Sequence, residues 1–239
     1  MKKLSHISYL LVSLGLAIVL VEADTAAVVA AKSQATIDNG DAPSWWKPSL
    51  PPDIQRQVAS KAKEWVGKLD LDEALQAKAT SLVGKHYSRV WAWHQEVDEK
   101  LDNVWAAWDA ARSLPKDELK ALAIITERID PIYAEFAPQI QGFLRAMHQA
   151  IGEEKSTKRL NQITQSPGAE RTYKAYLGMV PEMTDEEKAI LWKRMVQARE
   201  DSLAAWSSKR IVKSFKKYKV GNEFSIDYFG YDYRKRYQA

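Results

Sequence analysis

Apolar residues recur along one continuous helical stripe from Leu82: His86, Val90, Trp93, Val97, Leu101, Val104, Trp108 and Ala111, with steps of three or four. That seam predicts one long helix over about 73–113. Asp70 or Asp72 is placed to cap its start. Upstream, Ile54, Val58, Trp65 and Leu69 predict a first short helix. Ser113-Leu-Pro-Lys-Asp-Glu ends the long helix and begins another, with Ser113 as cap and Pro115 near the first turn. The next stripe runs Leu119, Leu122, Ile125, Ile129, Ile132, Phe136, Ile140, Phe143, Met147, Ile151. Its phase survives Pro131 and Pro138. This predicts either a kinked helix or two collinear helices, the second capped by Asp130. A short turn between the long helices makes them an antiparallel hairpin.

Residues 152–168 are polar and end in a Ser-Pro-Gly turn. Glu170–Leu177 reads as a short helix. Thr184-Asp-Glu-Glu187 is a capping box that opens a helix to about Trp206, with Leu191, Met195, Ala198 and Leu203 inward. Beyond Ser208 the helical pattern weakens. Gly221 and Gly230 interrupt it, and the aromatic residues hold no single face. No period-2 alternation extends over five residues. The expected class is all-α: a long antiparallel hairpin plus C-terminal helices in a single bundle-like domain, ending in an irregular aromatic and basic tail.

The N-terminus changes the compartment. Lys2 and Lys3 precede an apolar run from Ile7 to Val21, and Val21-Glu22-Ala23 suits a signal peptidase. The run is about fifteen residues, short of the roughly twenty that span a bilayer. Residues 1–23 therefore read as a signal peptide cut near Ala23, leaving no membrane anchor and a periplasmic or extracellular chain. Residues 24–52 form an extended or disordered lead-in whose Trp45 and Trp46 dock on the helical body. Residues 53–239 form the helical domain. With no cysteine in the chain, thiolate metal sites and thiol redox chemistry are excluded, and the exported fold rests on its apolar core.

The net charge of +4 is uneven. Residues 207–239 hold nine Lys/Arg against three Asp/Glu. Export argues against nucleic acid as the partner of this basic segment. Anionic glycans or phospholipid head groups match the compartment. Tyrosines beside Lys and Arg supply hydroxyls, stacking faces and cation–π pairs, which suits a hydroxylated sugar.

Among candidate site residues, His94 and Asp98 lie four apart on one helix face. They read as a base with its orienter, as two ligands of a metal, or as a surface hydrogen bond. Trp91 lies off the seam and could stack on a sugar, or pack. Arg199 could hold a carboxylate bidentately, or sit beside Glu200 on a solvated face. His86 and His148 read as structural. No known catalytic or nucleotide-binding motif occurs, and neither a metal nor a cofactor is implied.

The stretch TYKAYLGMVPEMTDEEKAILWKRMVQAREDSLAAWSSK at 172–209, with KYK at 217–219 and GYD at 230–232, resembles a family of exported bacterial proteins. That family is known as a domain of unknown function and described as a candidate sugar-binding group. WVGKLDLDEALQAKA at 65–79 and YSRVWAWHQEVDEK at 87–100 are similar to its first long helix. The family's Trp-Phe-Gly-Lys-Tyr-Lys-Gly-Arg run reads here from Ser214 as SFKKYKVG. A Lys-Asp-Gly-Met-Thr-Tyr run is replaced by Lys158–Thr164. The resemblance implies carbohydrate as partner and adds Tyr173, Lys217, Tyr218 and Lys219 to His94, Asp98, Trp91 and Arg199 as ligand-binding candidates, with the tail residues converging on Arg199. The leading expectation is a carbohydrate-binding accessory protein, for which an acidic oligosaccharide is one ligand class. A periplasmic helical chaperone or scaffold is second. A carbohydrate-active enzyme is third, and no catalytic residue is assigned.

Overall fold

The computed structural model describes residues 43–113, 117–164 and 167–238. The expected leader, most of the lead-in and Pro115 lie outside them. Every regular element among the described residues is helical. None is long and apolar enough to cross a membrane.

Helix α1 spans Pro52–Val66, with proline in its first turn where the missing N–H costs nothing. Helix α2 spans Glu73–Ala111. Asp72 rather than Asp70 caps it, accepting the Leu75 N–H at 2.8 Å. The expected stripe is buried from His86 to Ala111, and its upstream continuation is Ala79 and Val83, with Leu82 half-buried. Asp117, not Ser113, caps α3 (Glu118–Ile124), taking the Lys120 N–H. The Ser113 hydroxyl donates back to the Asp109 carbonyl instead.

The second stripe crosses Pro131 by a π-helical segment, Ile125–Ile129, and continues as α4, Asp130–Ile151. Widening to an i→i+5 turn accommodates the proline's missing N–H without ending the helix. Asp130 is therefore no cap. Its backbone is helical, and its N–H reaches the Ile125 carbonyl. Ring contacts fix the hairpin's direction: His86 stacks on Phe143 and touches Phe136, whereas Trp93, one heptad later, meets Phe136 and Tyr133. Rising numbers on α2 meet falling numbers on α4, so the pair is antiparallel. Trp45 packs against Phe136 at 5.5 Å, and the Trp46 carbonyl accepts from Arg89.

Two segments differ from expectation. The polar stretch after Gly152 is helix α5, Glu153–Ile163, and α6 begins at Pro167 and runs to Met179. The inward face of α5 is Ser156, Arg159 and Leu160, so two of its three buried positions are polar. Arg159 is held by the backbone carbonyls of Trp65 and Glu64. Helix α7, Asp185–Asp201, opens with the predicted capping box, and a 3₁₀ turn at Ser202–Ala204 follows.

The supposedly irregular tail is a 21-residue helix, α8 (Ser208–Tyr228), followed by the short α9 (Tyr233–Gln238). Its buried face is Ser214, Lys217, Val220, Asn222, Ser225 and Ile226. Four of these six are polar, so apolar periodicity could not reveal the helix. Gly221 lies inside α8 without breaking it. Its carbonyl accepts from Arg194 on α7.

The main core joins α1, α2, α4 and the connector after α7. A smaller second core joins Tyr176, Val180, Met183, Leu191 and Ile226, with Tyr173, Tyr231 and Tyr233 at its edge. The capping box belongs to this second core: Glu187 accepts both the Thr184 N–H at 2.8 Å and the Tyr231 hydroxyl at 2.9 Å. Thr184→Ala is expected to cost about 1 kcal/mol in urea denaturation. An unchanged midpoint would show that the box does not hold α7.

Candidate functional site

Helix α8 lies on the body through charged and hydroxyl groups. The Lys217 ammonium is 4% exposed and donates to Asp130 at 2.6 Å and Asp201 at 3.1 Å. The Tyr218 hydroxyl donates to Asp201 at 2.6 Å, and Gln197 donates to the other Asp201 oxygen. Lys217 also lies over the Tyr133 and Tyr218 rings. Burial, the largest single influence, would lower the lysine pKa. Asp130 and Asp201 more than offset it, and the ammonium is held well above its usual range. Burial, reinforced by the Asp201 charge, raises Tyr218 well above its ordinary value. Near neutral pH this lysine is no nucleophile and this tyrosine no base. Lys219 points outward and pairs with Glu223 at 3.2 Å.

Midway along α2, next to the seam residues Trp93 and Val97, stand His94 and Asp98. The His94 ring is 3% exposed rather than superficial. Its Nδ1 meets Asp98 Oδ1 at 2.7 Å, and its Nε2 meets the Ala204 carbonyl at 2.8 Å. A general base needs one ring nitrogen open to substrate, and His94 has both engaged. Asp98 also accepts from Arg210, which reaches Asp102 as well. His86 Nε2 donates to the neighbouring Leu203 carbonyl at 3.0 Å. Burial lowers the His86 pKa to about 4, so the ring is neutral. The two imidazoles thus hold consecutive carbonyls of the buried connector between α7 and α8.

Arg199, expected to converge with the tail and His94, donates to Asn161 on α5 at 3.0 Å. It backs a shallow hollow of about 450 Å³ lined by Glu154, Thr157, Lys158, Asn161, Gln162 and Glu170. Lys158, Asn161 and Gln162 of its lining fall in the replaced run Lys158–Thr164. The Glu170 and Glu200 charges both act on Arg199. Tyr173, one turn beyond Glu170 on α6, meets the Trp192 ring of α7 at 5.0 Å with the planes tilted by 50°. Trp91 is half-buried on α2. Among the described residues no group of three or more His, Asp or Glu could hold a metal.

Sequence reading missed Asp130, Asp201, Asn161 and Trp192. The first two are polar partners from elements far apart in sequence, with no local signal. Trp192 sits outside the inward face of α7, an offset that was legible.

The fold and these clusters define an all-helical domain whose helix α8 is pinned to the hairpin through the buried Lys217. The chain belongs to the family described as "Protein of unknown function (DUF3826)", whose model matches residues 55–239. No match was found among curated proteins.

Proposed function

We propose that this chain is an exported carbohydrate-binding accessory protein that takes its ligand at the α5–α6 hollow. The observation that carries the reading is the hollow's chemistry. Amides, a hydroxyl, carboxylates and an ammonium converge there, with the Arg199 guanidinium behind them. Such a set donates to and accepts from vicinal hydroxyls. Glu154 and Glu170 balance Lys158 and Arg199 in charge, which favours a neutral sugar over an acidic one. The leader read at residues 1–23 supports the compartment. A chaperone role has less support, because the apolar stripe of α2 is buried within the chain itself.

A glycan array followed by calorimetry on the chain from residue 24 tests this. Binding of a neutral glycan is the expected result, weakened about tenfold or more by Arg199→Ala, which removes a charged hydrogen-bond partner worth about 1.5–3 kcal/mol, and by less by Asn161→Ala, which removes a neutral one worth about 0.5–1.5 kcal/mol. No binding of neutral or acidic glycans at millimolar concentration would sink the proposal. Selective binding of acidic glycans would assign the hollow's cations, not its amides, as the recognition elements.

A further inference from the structure

The hollow does not stand alone. Arg199 and Trp192 are seven residues apart on α7, which places them on one face about 10 Å apart along the axis. On the facing helix, Glu170 acts on Arg199 and the Tyr173 ring meets Trp192 at a 50° tilt. The two pairs run in opposite order, so α6 and α7 are antiparallel and their shared edge leads from the hollow to the aromatic pair. The Trp65, Trp93, Trp105 and Trp108 rings are at most 3% exposed. Trp192 is 37% exposed, and among the described residues it is the only tryptophan in the exposed class. Tyr173 packs only at the edge of the second core.

We infer that Tyr173 and Trp192 form a stacking subsite beyond the hollow, so that the ligand is an oligosaccharide of two or more residues laid along the α6–α7 edge rather than a single sugar. This rests on the carbohydrate-binding reading above. A pyranose has an apolar C–H face and a rim of hydroxyls. The aromatic pair suits the face, and the amides and charges of the hollow suit the rim. Arg199 and Trp192 are about 10 Å apart along α7, more than one ring, so one sugar does not reach both. Linking the two contacts in one ligand makes the second contact intramolecular, and affinity grows with chain length until both are engaged.

The test is calorimetry with matched mono-, di-, tri- and tetrasaccharides of neutral glucans and xylans and of galacturonan. Affinity is expected to rise about two- to tenfold from the monosaccharide to the bound oligosaccharide, the scale of one aromatic contact. Trp192→Ala should remove that gain, so that short and long ligands bind alike. Trp192→Phe should keep most of it. Arg199→Ala should weaken both. Circular dichroism confirms that each variant is folded. Equal affinity for short and long ligands, or a Trp192→Ala variant that keeps the gain, overturns the subsite and leaves the hollow standing. Absence of any glycan binding overturns both readings together. Peptide binding that depends on Trp192, with no oligosaccharide binding, assigns the edge to an extended peptide and overturns the inference.

Discussion

Lys217→Met is expected to destabilise the protein by about 3–5 kcal/mol, the cost of removing one partner from a buried ion pair. The methionine fills much of the same volume, so the loss is mainly electrostatic. It leaves Asp201, whose side chain is 11% exposed, facing Asp130 with no cation between them. Asp201→Asn should cost less, about 1–3 kcal/mol, because Asp130 still pairs the lysine and the amide oxygen can still accept from Tyr218. Because the Lys217 pKa is raised on folding, its contribution is complete at neutral pH and is lost only as pH rises through the alkaline range. Chemical denaturation of both variants at pH 7 is the measurement. A loss below about 1 kcal/mol for Lys217→Met would show that water, not the two carboxylates, stabilises this ammonium.

The second large effect is on acid stability. His86 is buried, stacks on Phe143 at 4.2 Å and has its pKa lowered from 6.5 to about 4 by burial. The unfolded chain therefore binds this proton more readily than the folded one. The contribution is complete above pH 6.5 and is lost as pH falls toward 4. The slope is about 1.4 kcal/mol per pH unit, and the sum is about 3 kcal/mol. His86→Gln has an amide that can donate to the Leu203 carbonyl and no group that titrates. Its stability should fall less steeply than the parent's between pH 6.5 and 4, by about one proton's worth. The carboxylates that also titrate there are common to both proteins and cancel in the difference. Parallel pH profiles would mean that His86 protonates in the folded state without penalty.

How far the sequence reads depends on what each helix buries. The hairpin was legible because α2 and α4 bury apolar side chains, and those repeat at helical spacing. The capping box of α7 was legible because its partners lie within four residues. The candidate site was legible only in part. Arg199 and Tyr173 were named, but Asn161 and Trp192, which give them a setting, were not. The residues of the resembling motifs proved largely to pack with one another, since Tyr176, Met183, Glu187 and Tyr231 meet in the second core.

Taken alone, the sequence determined the helical class, the hairpin, the absence of thiol chemistry and the uneven charge. All of these follow from residue type and near-neighbour spacing. Tertiary structure decided what α8 is and what its charges do. Lysine, serine and asparagine on a helix face look solvent-exposed until carboxylates from elsewhere are brought against them. Asp130 lies 87 residues from Lys217. Which carboxylate meets which ammonium depends on long-range packing, and no local pattern encodes it. Tertiary structure likewise gave His94 and Arg199 different partners, Asp98 and the Ala204 carbonyl for the one and Asn161 for the other, because contacts between distant helices are set by packing.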